Sequence, residues 1–293
     1  MMKSRSIFLQ SMALVLVLAG SLSVHASEAA TNNLLWRISG NGLEQPSYVF
    51  GTIHLICADD LVEFEKVEQK MRKTDRLVLE LNLEDPMVLF SMVQQMVMKG
   101  DTSLHDLLSD EDYRLVSDFF RDSLQTELSA QAHIQPFFLI SMIMPHMLGC
   151  HTDSYDYYLM GLSKEAGIPL KGLETVDEQM DVFTRLSYQE QAEILVEAIR
   201  DYDKGRKEFL EMVSYYLAMD LEGMQQLTES VETDYEAFNY ALLEERNKRW
   251  IPRMSSMMQE APTFFGVGAG HFPGDTGIIK LLREAGYTVE PLL

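Results

Sequence analysis

Apolar positions recur along this chain with two different periods, and the switches between them outline the fold. Leu34-Leu35-Trp36-Arg37-Ile38-Ser39 alternates as a strand does, Gly40-Asn41-Gly42 marks a turn, and Tyr48 to Ile53 resumes the strand pattern. That order predicts a hairpin. Leu61 to Arg72 has helical spacing, with Leu61, Phe64, Val67 and Met71 on one side. Leu77-Val78-Leu79-Glu80-Leu81 is a continuous apolar run broken by one carboxylate, which reads as a buried parallel strand. Asp85 then suits an N-cap with Pro86 in the first helical position. Helical patterns follow at Met87–Met98, Asp110–Asp122, Pro136–Leu148 and Ser154–Ala166. Gly167-Ile168-Pro169 stops the last of these, and Leu170 to Leu173 is a short strand ending at Glu174. Gln189–Tyr202, Lys207–Met219 and Tyr235–Trp250 read as a further helical layer, and strand 263–267, helix Gly277–Glu284 and strand Tyr287–Leu292 close the chain.

This pattern predicts an α/β protein with a mixed central sheet flanked by helices and a long helical insertion at about residues 85–166. The two ends resemble each other: each runs strand, Gly-x-x-His, loop, helix, strand. Two related halves are therefore expected to share one site within a single domain, 27–293. Residues 1–26 read as an export signal, with Lys3 and Arg5 at the start, an apolar stretch from Met12 to Gly20, and small residues at Val24-His25-Ala26. No later run approaches the roughly 18 apolar residues of a membrane span. The expectation is a periplasmic or secreted protein without stable membrane insertion.

Charge narrows the partners. The formal net charge of −21 repels phosphate backbones, so nucleic acid is not expected; a peptide or small-molecule substrate is. Cys57 and Cys150 are the two cysteines. An even pair in an oxidising compartment predicts a bridge, worth about 4–5 kcal/mol in the chain-entropy model for a loop of this length. Two buried thiols, or metal thiolates beside His54 and His151, are the alternatives.

The candidate chemistry starts from the repeated motif. Gly51-Thr52-Ile53-His54 and Gly268-Ala269-Gly270-His271 each deliver a histidine from the end of a strand, where α/β proteins place ligand sites. Each could be a satisfied polar group, but two in matched contexts point to one shared site. Imidazole ligates Mn, Co or Zn and also serves as a base. Glu80 is costly to bury unpaired, so it reads as a metal ligand or general base unless its strand end is exposed. Glu174 ends its strand in the same way, or caps the following helix with Thr175. Arg246, with Asn247, either lies on a solvated helix face or points inward, where its guanidinium could steady an oxyanion. Asp156 reads by default as an exposed helix carboxylate. The Met142-to-His151 stretch suggests soft-metal binding, against its more ordinary reading as core. There is no His-Glu-x-x-His, no Gly-x-Ser-x-Gly elbow and no phosphate-binding Gly-rich loop.

Taken in order, Leu35-Trp36, Phe50-Gly51-Thr52-Ile53-His54-Leu55, the Glu80 strand, Asp156, Gly172-Leu173-Glu174-Thr175, Gln179, Arg246-Asn247 with Trp250, Val267-Gly268-Ala269-Gly270-His271 and Leu281-Leu282-Arg283 with Gly286-Tyr287 resemble the TraB/GumN family. The resemblance covers about residues 34–292. It implies a fold related to the erythromycin-esterase and ChaN-like group and, through the family's animal members, metal-dependent proteolysis. By position it carries over His54, His271, Glu80 and Glu174 as metal ligands and Glu80 and Arg246 as catalytic groups. The expected function is an exported metal-dependent hydrolase, most simply a peptidase, using Mn, Co or Zn. A non-catalytic haem-iron or soft-metal binding protein and a metal-free esterase-like hydrolase are the alternatives.

Overall fold

The computed structural model describes residues 32–62, 64–230 and 236–293. The expected export signal lies outside the described residues. The opening alternation forms β1 (Leu35–Gly40) and β2 (Ser47–Thr52), paired antiparallel with Leu35 opposite Phe50. Their turn places Gly40, Asn41 and Gly42 at φ of +80°, +45° and +82°, left-handed backbone that glycine adopts freely and asparagine tolerates. The hairpin forms as its residues dictate.

A short β3 (Ile56–Cys57) follows, then a 3-10 turn at Ala58–Asp60, so α1 (Glu65–Met71) starts later than its periodicity suggests. β4 (Arg76–Leu79) is buried at every position. The helical stretch comprises α2 (Pro86–Gln95), α3 (Leu104–Leu107), α4 (Asp110–Leu124) and α5 (Pro136–Leu148). After β5 (Thr152–Asp153) comes α6 (Tyr155–Ala166), capped by Ser154. Then β6 (Leu170–Gly172), α7 (Val176–Asp181), α8 (Tyr188–Arg200), α9 (Tyr202–Leu217), α10 (Leu221–Glu229) and α11 (Glu236–Tyr240) lead into one π-helical stretch, Ala241–Glu245. α12 (Arg246–Glu260), β7 (Thr263–Gly268), α13 (Ile278–Glu284) and β8 (Tyr287–Pro291) complete the chain.

α12 continues ten residues beyond the expected end at Trp250, through Pro252. Its inward row of Arg246, Trp250, Met254 and Met258 is buried, and that i, i+4 packing outweighs the backbone hydrogen bond that proline removes. The pattern gave no warning of α3, α10, β3 or β5.

The main sheet has the order β6-β4-β7-β2-β1-β8. β6, β4, β7 and β2 run parallel, while β1 is antiparallel to both β2 and β8. The main core packs both faces of this mixed sheet, with Trp36, Phe50, Leu77, Phe264, Phe265 and Trp250 fully buried. A second core of Val116, Phe120, Leu139, Ile143, Met147 and Leu195 joins α4, α5 and α8. Met147 belongs to it and Met142 is surface-exposed, so the methionine-rich stretch is split between core and solvent.

β7 is inserted between β2 and β4, and Thr52 stands opposite Gly268. Both Gly-x-x-His motifs therefore leave the sheet at one edge, from adjacent parallel strands. The two ends do not occupy equivalent places. β4 is an interior strand parallel to β7, whereas β8 is an edge strand antiparallel to β1.

Candidate functional site

Glu80, Asp156, Glu174, Arg246 and His271, all buried, gather at the carboxyl-end edge of β2, β7, β4 and β6. Glu80 follows β4 and Glu174 follows β6. Arg246 opens α12 after the π-helical stretch, and its Nη1 donates to the Leu242 carbonyl one turn back at 3.1 Å. His54 comes from the loop after β2, and His271 from the 3-10 turn after β7.

Arg246 is the hub. Its Nη2 donates to Glu80 Oε2 and to Glu174 Oε1, both at 2.6 Å, and its Nε donates to Glu174 Oε1 at 3.1 Å. Nη1 also faces His271 Nε2 at 3.3 Å. The guanidinium has five N–H groups, and these contacts engage them all. Two buried carboxylates beside one guanidinium raise the Arg246 pKa against the opposing effect of burial. Glu174 side-chain exposure is 0%; its Oε2 accepts from Trp250 Nε1 at 3.1 Å and its Oε1 from Gln179 Nε2 at 3.1 Å. Glu174 thus belongs to Arg246 and Trp250, behind the open part of the site.

Glu80 faces the other way as well. Burial pushes its pKa up, but Arg246 and the two histidines outweigh that and hold it well below the usual carboxylate range. Its Oε1 accepts from Gly268 N at 2.9 Å, and His54 Nε2 and His271 Nε2 stand 3.9 and 3.8 Å from that same oxygen. Glu80 thus lies at the same sheet edge as His54, at a strand end that is buried, not exposed.

Each imidazole is held from behind. His54 Nδ1 lies 2.8 Å from Asp156 Oδ2, whose other oxygen accepts from Thr52 Oγ1 at 3.3 Å. Asp156 is buried, not an exposed helix carboxylate; Ser154 starts α6 so that Asp156 falls in its first turn, facing the His54 loop. The Asp156 carboxylate raises the His54 pKa to about 9. His271 Nδ1 lies 2.6 Å from Asn247 Oδ1, and Asn247 Nδ2 donates to the carbonyls of His271 and Thr276 at 3.1 and 2.9 Å. The ring packs on Trp250 with centroids 4.4 Å apart. Burial, then Arg246, push the His271 pKa down to about 3, so this imidazole is neutral, with the proton assigned to Nδ1 by its asparagine partner. His54 differs in being open, with a side-chain exposure of 64%.

Residues 34–291 match the TraB/PrgY/gumN family. The chain belongs to the TraB/PrgY/gumN family. Among curated relatives of this family member, Metalloprotease TIKI2 of Danio rerio is 22% identical over 90% of this chain and 62% of its own length. Metalloprotease TIKI1 of Danio rerio is 23% identical over 99% of this chain and 71% of its own length, and Metalloprotease TIKI1 of Homo sapiens is 20% identical over 90% and 62%. This family member therefore spans less than two thirds of some of the relatives it matches. No solved structure matches it.

The relatives' names raise the question of a metal. Among the described residues no three His, Cys, Asp or Glu side chains form a group drawn together closely enough to hold one. The donor chemistry nevertheless fits a borderline divalent ion. Two imidazole Nε2 atoms face one carboxylate oxygen, and both Nδ1 atoms are fixed by a side-chain oxygen, the arrangement that orients histidine ligands. Arg246 Nη1, 3.3 Å away, donates to the His271 Nε2 lone pair that a metal would need. Cys57 and Cys150 form a disulfide with Cα atoms 5.7 Å apart, so neither is a thiolate ligand. No helix among the described residues is long and apolar enough to cross a membrane.

Proposed function

We propose that this TraB/PrgY/gumN family member is an exported, metal-dependent hydrolase acting on peptides, folded as a single domain related to the erythromycin-esterase and ChaN-like group. The convergence of His54 Nε2 and His271 Nε2 on Glu80 Oε1 carries the reading, and the metalloprotease relatives support it. His54, His271 and Glu80 would hold the ion, which when bound lends Lewis acidity and lowers the pKa of water. Manganese, cobalt and zinc all suit this mixture of imidazole and carboxylate.

The chain's own residues set up the rest. Arg246 holds the Glu80 carboxylate ionised, which suits Glu80 to a ligand's role over that of a proton carrier. Asp156 and Asn247 aim the two rings. Glu174, buried behind Arg246, fixes the guanidinium and is a positioning residue in this scheme. Every Arg246 N–H is engaged, so an oxyanion finds a donor there only when His271 Nε2 is taken up elsewhere and the Nη1 N–H it accepts is released.

The test is elemental analysis of protein purified without chelator, beside the His54→Ala/His271→Ala double variant. The expected outcome is near-stoichiometric metal that is lost in a still-folded variant, with peptide cleavage stopped by chelator and restored by Mn²⁺, Co²⁺ or Zn²⁺. Equally negligible metal in both proteins after reloading would sink the reading.

A further inference from the structure

The open side of the site is held by a clamp. His54 lies between the end of β2 and β3, and Asp156 lies just after β5. These two segments are far apart in sequence yet zipped together. β3 and β5 form a separate two-stranded sheet, with Ile56 opposite Asp153 and Cys57 opposite Thr152. Ala58 N donates to the His151 carbonyl at 2.8 Å, and Tyr155 N to the Ile53 carbonyl at 3.3 Å. The Cys57–Cys150 disulfide closes the far end of this zipper. The contact at its near end that touches the site is His54 Nδ1 on Asp156 Oδ2, 2.8 Å.

Two residues per strand make a sheet too short to persist by itself. The His54 ring is also mostly in solvent, so little packing holds it. His271 has none of this dependence: it is buried against Trp250 and Asn247, on elements the bridge does not touch. Cys150 lies on the surface and Cys57 is half-buried, so a small thiol can reach the bond.

We propose that the Cys57–Cys150 disulfide is a positioning device for His54, and that its reduction reversibly uncouples His54 from Asp156 while the rest of the fold stays in place. The step consumes two electrons and two protons. A dithiol reductant supplies both, becoming a disulfide itself, while Cys57 and Cys150 become thiols. The consequence for a metal rests on the function proposed above; the positional statement does not.

The experiment uses protein labelled with ¹⁵N at histidine, oxidised or treated with dithiothreitol, beside the Cys57→Ser/Cys150→Ser variant. Ring Nδ1–H resonances are read in metal-free samples, that of His54 being assigned with His54→Gln, and Co²⁺ affinity is measured in parallel. Expected are a His54 Nδ1–H signal in the oxidised protein, its loss on reduction and in the serine variant, and a retained His271 signal with a cooperative unfolding transition. Asp156→Ala in bridged protein, which removes the acceptor, should remove the same signal, and reduction should then weaken Co²⁺ binding little further. Reduction of the wild type should weaken Co²⁺ binding by roughly 10–100-fold, as loss of a ligand's outer partner does, and reoxidation should restore it. A His54 signal that survives reduction, or is absent before it, overturns the proposal. So does a reduced protein that loses its cooperative transition or its His271 signal, because the bridge would then hold the whole fold. Failure of the oxidised protein to take up Co²⁺ defeats only the metal reading, since the ring signals decide this one without metal.

Discussion

Arg246 shows how one buried side chain can organise four others. It sits between Glu80 and Glu174, faces His271 Nε2 at 3.3 Å, and has Trp250 beneath its guanidinium at 4.6 Å. Replacing it with methionine leaves two buried carboxylates uncompensated, so Arg246→Met should destabilise the ion-free protein by about 3–5 kcal/mol, measured by urea unfolding at neutral pH. Arg246→Met/Glu174→Gln should recover part of that loss; no recovery would show that Glu174 is stabilised by something other than the guanidinium. Asp156 gives a contrasting case. It touches the site through His54 alone among the ligand candidates, so Asp156→Asn should lower divalent-metal affinity by roughly 10–100-fold, and any loss of stability in the ion-free protein should fade as pH rises through about 9, where His54 gives up the proton that the carboxylate favours. Competition against a chromogenic chelator would measure the affinity. The candidates His54, Glu80, Glu174 and His271 stood out in the sequence because each breaks a pattern, a histidine at a strand end or a carboxylate closing an apolar run, whereas Arg246 lies in a mixed charged run that reads equally as a solvated helix face and was singled out by its place in the family motif. Asp156 broke none, since an acidic residue in the first turn of a helix is ordinary; the sequence marked it only through its place in the family motif, and its burial and its 2.8 Å distance to His54 assign it to the site.

Two glycines of β7, two residues apart, separate packing from chemistry at the scale of the element. A Cβ on Gly266 would come within 2.7 Å of both Leu159 Cδ1 on α6 and Leu79 Cδ2 on β4. Gly266→Ala should therefore cost about 1–3 kcal/mol through overpacking. At Gly268 the nearest atoms to a Cβ are Glu80 Oε1 at 3.4 Å, His271 Cδ2 at 3.6 Å and His54 Nε2 at 3.7 Å. That methyl meets ordinary contacts but stands among all three candidate ligands. Gly268→Ala should unfold close to wild type in denaturant and bind metal more weakly; equal metal affinity would place the ion away from β7. The strands were legible because their alternation or continuous burial is local. The two-residue strands β3 and β5 were not, because a pairing that short has no sequence period and exists only where a bridge and neighbouring loops bring the segments together.

At the scale of the whole molecule, pH stability should reflect carboxylates held by arginines. Glu178, which completes the capping box at the start of α7, is paired with Arg253, and that hydrogen bond lowers its pKa to about 2. A depressed folded-state pKa stabilises the fold above the unfolded value near 4.5, and the contribution fades as pH falls from there toward about 2. The difference in melting temperature between wild type and Glu178→Gln should thus be largest at pH 6–7 and shrink on acidification to pH 3; a constant difference would assign the effect to capping alone. The hairpin, the buried strands, the helical stretches and the histidine motifs were determined by the sequence itself, because turn chemistry and hydrophobic period act between neighbours in the chain. The insertion of β7 between β2 and β4 was decided only in three dimensions. So were the unequal places of the two similar ends, the enclosure of Glu174 behind Arg246 and the seating of Asp156 behind His54. The physical reason is that strand order and the pairing of buried charges depend on which distant surfaces exclude water together, and no window of sequence contains both partners.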